Sequence, residues 1–255
     1  MIKLLSTDFD GTLVDHGSAR PVNPALFDHI VALREKGARW AVNTGRTLDH
    51  IVSGLDEFAF PIEPDFVLTC EREVFHRGAN GWEDFGDWNG RCALAHETLF
   101  ANSRTLLDEI GIFLRTGTTS EVIFENQAPI GIYASSESDM DRVLEFIDSR
   151  RAGFPDFHYQ RNTMYLRFCH ADYHKGAALG ELARLTGVEP SEIFAAGDHY
   201  NDIPMLDGRF AKMTACPANA VEPVKKTVRD SGGRVATKAC SDGVVEALQF
   251  FEREL

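Results

Sequence analysis

Two acidic clusters, far apart in the chain, each follow a short apolar segment. Asp8-Phe9-Asp10-Gly11-Thr12 comes directly after the apolar N-terminal segment, and Gly197-Asp198-His199-Tyr200-Asn201-Asp202 follows the apolar segment 193–196. In a strand, residues i and i+2 lie on one face about 7 Å apart, so Asp8 and Asp10 are predicted to point into one cleft. Paired carboxylates resist burial unless a cation lies between them. Since oxygen ligands suit Mg²⁺, the clusters predict a magnesium site.

Backbone amides and a lysine provide candidate groups for binding a phosphate. Gly11 allows the backbone to turn sharply and present N–H groups to an anion. In Asn43-Thr44-Gly45-Arg46-Thr47, the Thr44 hydroxyl and the Gly45 amide at a predicted helix start form a second such place. Lys175 begins another helix, where the dipole disfavours a cation, and this favours a functional lysine over a surface one. These patches follow predicted strands or begin helices, where open α/β sheets bind ligands.

The elements between these patches indicate an α/β fold with an insertion. Residues 1–80 and 169–255 alternate short strands with helices, as a doubly wound, Rossmann-like parallel sheet requires. Residues 81–168 lack that alternation and predict an inserted α+β domain, with the turn formers at 78–81 favouring a boundary. The predicted strands are 2–7, 39–43, 66–70, 121–125, 130–134, 164–168 and 193–196. The predicted helices are 24–37, 47–55, 91–110, 138–150, 175–186, 202–206 and 242–253.

Composition narrows the class of partner and the compartment. The 255 residues carry 26 basic and 39 acidic side chains, a net charge of −13, which disfavours nucleic acid because phosphate backbones are bound by Lys and Arg. A small phosphorylated metabolite is still an expected partner. Salt screens the repulsion from the distant acidic side chains, and local amides, a lysine and a metal outweigh what is left of it. Five scattered cysteines without a CxxC pair favour a reducing cytoplasm over a disulfide or zinc protein. The sequence predicts neither a signal peptide nor a membrane-spanning segment. It predicts no particular oligomeric state.

The ordered motifs resemble those of the haloacid dehalogenase superfamily. Within it they resemble the Cof-type (subfamily IIB) phosphatases, whose cap domain lies between the second and third motifs. Asn219-Ala220 and Asp242-Gly243-Val244 are similar to the closing segments of that family. The resemblance implies a HAD-like hydrolase core over 1–80 and 169–255, an α+β cap over 81–168 that closes over the substrate, and phosphatase activity on a small phosphate monoester such as a sugar phosphate.

The resemblance also implies catalytic and metal-binding roles. Asp8 would be the nucleophile that takes the phosphoryl group, and Asp10 would protonate the leaving alcohol and then activate water. Mg²⁺ would be held by Asp8, the main-chain carbonyl of Asp10 and Asp198. Because Asp8 is so near, the pKa of Asp10 is predicted to be raised, which would favour a protonated acid at the start of the cycle.

Other motif residues are implied to hold the phosphoryl group. The implied ligands are Thr44, Lys175, Asn201 and the amides of Phe9 and Gly45. Asp202 would steady the metal shell or Lys175. For Arg46, contact with the substrate, with solvent or with a partner carboxylate is predicted about equally.

Several alternatives stay open from the sequence. Thr44 could simply cap a helix, and Cys70-Glu71-Arg72-Glu73 stands where many relatives carry an Asn-Gly turn. Candidate cap contacts with substrate are Arg115, Glu121, Arg161 and Tyr165. A phosphomutase, recognised by dependence on a bisphosphate activator, is the alternative within the superfamily. A signalling or binding module, in which phosphorylation of Asp8 changes shape without turnover, is the alternative outside it.

Overall fold

The chain forms two compact units, one inserted in the other along the sequence. The computed structural model describes residues 1–125 and 128–254. One unit consists of Met1–Asn89 with Lys175–Leu255, and the other of Gly90–His174. The predicted domain limits at 80 and 168 both fall earlier in the chain than these observed limits, and residues 126, 127 and 255 of the predicted domains lie outside the described residues.

The described residues fold into strands and helices with the following bounds. The strands are β1 (Leu4–Thr7), β2 (Arg39–Asn43), β3 (Phe66–Thr69), β4 (Glu73–Gly78), β5 (Gly81–Asp84), β6 (Glu121–Glu125), β7 (Ala128–Tyr133), β8 (Phe157–Asn162), β9 (Tyr165–His170), β10 (Ile193–Ala196), β11 (Met213–Cys216) and β12 (Arg234–Val235). The helices are α1 (Ala25–Glu35), α2 (Leu48–Glu57), α3 (Trp88–Asn102), α4 (Arg104–Gly117), α5 (Glu137–Arg150), α6 (Lys175–Thr186), α7 (Ile203–Leu206), α8 (Glu222–Asp230) and α9 (Cys240–Glu254). None of these helices combines the length and the apolar composition needed to cross a bilayer.

The larger unit contains an eight-stranded sheet that confirms the predicted doubly wound α/β class. Its order is β12-β11-β10-β1-β2-β3-β4-β5, and the strands from β12 to β3 are parallel. Residues of β1 and β10 are buried throughout, as expected for strands covered on both faces. Strand β1 pairs with β2 on one side and with β10 on the other, so the strand order changes direction at β1. This change of direction places the carboxyl ends of β10, β1, β2 and β3 side by side, where such sheets bind ligands.

The predicted boundary at 78–81 is instead a hairpin turn of the larger unit. Antiparallel β4 and β5 extend the main sheet beyond β3. The Asn89 side chain accepts from the amide of Val74 at 2.7 Å and donates to its carbonyl at 3.1 Å, which fixes the start of α3 against β4. Gly-rich turn sequences mark hairpins as well as linkers, and only the pairing of β4 with β5 distinguishes the two.

The smaller unit packs helices against a four-stranded antiparallel sheet of order β6-β7-β9-β8. The predicted single helix over 91–110 is two helices that meet at Ser103, whose backbone leaves helical geometry at φ −98° and ψ 13°. Both helices still contribute to one core through Leu99 and Leu106. The apolar periodicity therefore continues across the break, and no Pro or Gly in the sequence marks the break.

Candidate active site

The loop after β1 places Asp8 and Asp10 at the edge of the sheet. The amide of Asp8 donates to the carbonyl of Ala196 at 2.9 Å, so the loop begins against the end of β10. The Phe9 side chain is fully buried and packs 6.1 Å from the ring of Phe58. Gly11 has φ +79°, and a Cβ atom there would lie 2.5 Å from Oδ2 of Asp198. The sharp turn and the close approach of the second acidic loop both require glycine at this position.

Lys175, the first residue of α6, lies between two carboxylates. Its Nζ atom is 2.6 Å from Oδ1 of Asp8 and 2.6 Å from Oδ1 of Asp202, and the side chain is completely buried. Burial alone would favour the neutral amine, but Asp202 and Asp8 outweigh it and raise the pKa of Lys175 above its usual range. Lys175 is therefore a permanent positive charge beside Asp8.

A cluster of three carboxylates surrounds this lysine. Oxygen atoms of Asp8, Asp198 and Asp202 lie within 4.8 Å of one another, and Thr12 donates to Oδ1 of Asp198 at 2.8 Å. Burial, followed by repulsion from Asp202, raises the pKa of Asp198 to about 7. Burial also raises the pKa of Asp8 well above its ordinary value, with Lys175 opposing and the other two carboxylates adding to the rise. Three carboxylates facing one ammonium leave two negative charges, and this all-oxygen set fits a hard divalent cation.

The three carboxylates differ in how many of their oxygens are already engaged. Asp202 uses Oδ1 for Lys175, and its Oδ2 accepts the amides of Asp198 at 2.8 Å and His199 at 2.9 Å. Asp202 therefore fixes both Lys175 and the loop that carries Asp198. Asp8 and Asp198 are better placed to bind a metal, since each keeps an oxygen free of such anchoring bonds.

Asp10 corrects one prediction made from the sequence. Oδ2 accepts from Nε of Arg46 at 2.8 Å, and Oδ1 accepts from the other end of the same guanidinium at 2.6 Å. His16 Nε2 also lies 2.7 Å from Oδ1. Burial would raise the pKa of Asp10, but the bonds and charges of Arg46 and His16 outweigh it and lower the pKa. The expectation of a raised pKa was wrong because the sequence did not reveal these two partners. Of the alternatives for Arg46, the structure shows a partner carboxylate.

The loop after β2 carries the predicted phosphate ligands Thr44 and Gly45. Thr44 donates its amide to the Leu68 carbonyl at 2.8 Å, and its hydroxyl accepts from the amide of Arg46 at 3.1 Å. The cap of α2 is Thr47, whose side chain accepts from the amide of His50. Because Thr47 caps this helix, the alternative that Thr44 serves as its cap is wrong.

Asn201 completes the set of predicted ligands and introduces a residue for which no role had been predicted. Its Nδ2 atom donates to Oε1 of Glu71 at 2.7 Å, and both side chains are buried. Asn43 is a further partner, since its Nδ2 donates to the Lys175 carbonyl at 3.0 Å and fixes the start of α6. His16 carries no sequence signal for its contact with Asp10, whereas Glu71 was visible as a departure from the Asn-Gly turn.

The predicted cap contacts all belong to the smaller unit. Arg161 forms an ion pair with Asp141 at 2.7 Å, so its charge is engaged within that unit. Tyr165 pairs with Tyr133 and Asn162 in the sheet. A substrate contact by these residues or by Arg115 and Glu121 stays a prediction.

Comparison with known proteins identifies the family. The model of haloacid dehalogenase-like hydrolases matches residues 120–248. A phosphoglycolate phosphatase from Thermoplasma acidophilum is 30% identical over 230 residues, covering 88% of this chain and 89% of that protein. The chain belongs to the haloacid dehalogenase-like hydrolases. It is thus a phosphoric monoester hydrolase, as the resemblance implied.

Further similarities of this hydrolase agree with that assignment. The putative phosphatase YxeH of Bacillus subtilis is 25% identical, covering 88% of this chain and 90% of that protein. Among solved structures, the sucrose-phosphatase from Synechocystis superposes with a TM-score of 0.73 at 19% identity, covering 99% of each chain. A subclass IIB sugar phosphatase, BT4131, superposes with a TM-score of 0.68 at 18% identity, covering 98% of this chain and 99% of that one. These two structures share the fold.

Proposed function

We propose that this hydrolase carries out Mg²⁺-dependent hydrolysis of a small phosphate monoester, such as a sugar phosphate, through an aspartyl-phosphate on Asp8. The observation that carries the proposal is the Lys175 ammonium shared at 2.6 Å by Asp8 and Asp202, beside the carboxylate of Asp198. Phosphoryl transfer depends mainly on positioning and on neutralising charge, and this buried arrangement supports both.

The oxygen atoms of this site support binding of a Mg²⁺ ion. Asp8, Asp198 and the main-chain carbonyl of Asp10 would hold it. When bound, the ion supplies positive charge that reduces repulsion between the Asp8 carboxylate and the phosphate. Lys175 supplies a second, permanent charge from the protein itself. Asp202 keeps the ammonium in place, because both of its oxygens are anchored.

The remaining groups hold the transferring phosphoryl group. They are the Thr44 hydroxyl, the amides of Phe9 and Gly45, the Lys175 ammonium and the Asn201 amide. These groups lie on the loops that leave β1, β2 and β10 and at the start of α6. Such fixed donors stabilise the charge of the transition state without reorganising during the reaction.

Asp10 serves both halves of the reaction. In the first, an Asp8 oxygen forms a bond to phosphorus, the ester P–O bond breaks, and Asp10 gives a proton to the leaving oxygen. In the second, Asp10 takes a proton from water as the water oxygen forms a bond to phosphorus, and the bond between the Asp8 oxygen and phosphorus breaks to release inorganic phosphate. The lowered pKa makes the resting Asp10 ready as the base. A bound phosphate dianion raises that pKa, because like charges favour protonation, and so enables the acid step.

The substrate class is inferred from relatives and chemistry together. Curated relatives include phosphoglycolate phosphatases, and a sucrose-phosphatase shares the fold. We infer a small phosphorylated metabolite as the substrate.

A panel of phosphate monoesters tests this function. Glucose 6-phosphate, glycerol 3-phosphate and 2-phosphoglycolate are incubated with Mg²⁺ or with EDTA, and released phosphate is measured. We expect hydrolysis that needs Mg²⁺ and that Asp8→Asn abolishes, whereas Asp207→Asn, at an exposed ion pair with Arg209, leaves it unchanged. Turnover by Asp8→Asn would refute the nucleophile. Dependence on a bisphosphate activator would indicate a phosphomutase, and a stable phosphoprotein without turnover would indicate a signalling module.

A further inference from the structure

The turn between β3 and β4 has a backbone that its residues do not favour. Cys70 has φ +51° and Glu71 has φ +66°, and the Arg72 amide closes the turn by donating to the Thr69 carbonyl at 2.9 Å. Two consecutive left-handed residues define the turn type that strongly prefers Asn-Gly. Non-glycine residues persist in this region only where the surroundings hold them, and such strain clusters at functional sites.

The Glu71 side chain is a buried carboxylate without a cation. It is only 2% exposed, and Oε1 accepts from Nδ2 of Asn201 at 2.7 Å. Oε2 is closed off from solvent and has no hydrogen-bond partner. Among the described residues, no basic side chain forms an ion pair with Glu71. A buried carboxylate in this condition is costly, and such local departures from favourable chemistry are expected at functional sites.

Glu71 is in contact with residues that are proposed to bind the phosphate. The Glu71 amide donates to the Thr44 carbonyl at 3.0 Å, and Oε1 lies 3.3 Å from the position of a Cβ on Gly45. Together with its bond to Asn201, Glu71 thus contacts three of the residues proposed to hold the phosphoryl group. Its charge acts on that place at short range and with little screening, because water does not reach it.

We propose that Glu71 determines substrate specificity by disfavouring a second negative charge on the leaving group. The proposal rests on the proposed phosphatase function and names its substrate class: monoesters of uncharged alcohols, such as polyol or sugar phosphates, over monoesters that carry a carboxylate. Specificity often comes from a group that repels the wrong ligand. Because Oε2 is sealed from solvent, Glu71 acts through its field and through the orientation of Asn201, not by touching the substrate.

The test uses two substrates of similar size, of which one carries a carboxylate near the ester and the other an uncharged hydroxymethyl group. They are 2-phosphoglycolate and 2-hydroxyethyl phosphate, assayed as kcat/KM with Mg²⁺. In Glu71→Gln, which keeps the shape and an acceptor for Asn201, we expect the ratio of kcat/KM for phosphoglycolate to that for hydroxyethyl phosphate to rise about tenfold. Inorganic phosphate should also inhibit this variant more strongly than the native enzyme, because a repulsive charge has been removed.

A purely structural role for Glu71 predicts a different result. Both substrates would then lose activity together, and the ratio would stay within twofold of the native value, which would overturn the proposal. Glu73→Gln is the matched control, since the Glu73 carboxylate accepts from the Thr69 hydroxyl at 2.8 Å in the same turn, and its ratio should not change. Should Glu71→Gln fail to fold, Glu71→Gly suits φ +66° and removes the same charge. Absence of activity in the native protein on every monoester would instead refute the phosphatase function itself.

Discussion

At the scale of single residues, the ionisation of Asp10 depends on a neighbour distant in sequence. Arg46 donates two hydrogen bonds to the Asp10 carboxylate, and its guanidinium lies 4.8 Å from the centre of the Phe9 ring. A planar guanidinium with two parallel bonds is a strong and specific partner for a carboxylate. Asp10 is thereby held in one orientation and in its charged form, while Asp8 is held by Lys175. Two adjacent carboxylates thus have separate cationic partners and can take separate roles.

Replacing Arg46 tests this division of roles. In Arg46→Met, loss of the bonds and the charge lets burial raise the pKa of Asp10, so the acidic limb of the kcat profile, which includes the step where Asp10 is the base, should move to higher pH. The profile of Arg34→Gln, at an ion pair with Asp65 in the same unit, is the control and should keep the native limb. A profile of Arg46→Met that coincides with the native one would show that the pair does not set the ionisation of Asp10.

At the scale of elements, four neighbouring parallel strands convert distant sequence motifs into one site. Thr7 of β1 lies in register with Ala196 of β10 and with Val42 of β2. The loops that follow therefore start at one level of the sheet, and each needs only a short turn to reach the others. Gly11 makes one of these turns, close against the side chain of Asp198.

The close approach at Gly11 predicts a separable effect of adding a methyl group. Gly11→Ala should lose about 1–3 kcal/mol of stability from its positive φ, and it should also displace Asp198 and weaken Mg²⁺-dependent activity at least about tenfold. Gly37→Ala is the matched control, because Gly37 has φ +88° and a Cβ there meets nothing within 4 Å. Urea denaturation and Mg²⁺ titrations of activity measure the two effects. Equal loss of Mg²⁺ response in both variants would contradict the role assigned to Gly11.

At the scale of the whole molecule, stability should be linked to pH and to the divalent ion. The pKa of Asp198 rises from 3.8 to about 7 on folding, and that of Asp8 rises as well. Between these values the folded protein binds more protons than the unfolded chain, so metal-free stability falls as pH increases from about 4 to about 7. An ion that binds the ionised carboxylates of the folded state reverses this loss.

Thermal unfolding with and without Mg²⁺ measures this linkage. We expect saturating Mg²⁺ to raise the Tm by about 5 °C or more at pH 8 and by much less at pH 5, where protons compete for the same carboxylates. Asp198→Asn should raise the metal-free Tm at pH 8 and abolish the Mg²⁺ effect. A Mg²⁺ effect of equal size at both pH values would contradict the assignment of these carboxylates to the metal.

Local sequence determined seven of the strands, most helices and the identity of most residues that meet at the site, whereas β4, β5, β8, β11, β12 and α8 were not predicted. Apolar runs such as Ile193–Ala196 and the helical spacing of Lys175–Thr186 are properties of neighbouring residues, so the predicted bounds coincide with the observed ones. The confirmed family and α/β class follow from the motif order in the same way. The metal preference, the individual site roles and the cytoplasmic location stay predictions, although all five cysteines are buried free thiols.

Tertiary structure alone decided which charges face one another. The distances from Arg46 to Asp10, from Glu71 to Asn201 and from Lys175 to Asp202 join residues 27 to 130 positions apart. No local pattern encodes such pairs, because a long polar side chain in a loop has many partners within reach until the backbone is fixed. Ionisation depends on those partners and on burial, so the sign of the pKa shift of Asp10 and the uncompensated charge of Glu71 emerge only when the sheet brings its loops together.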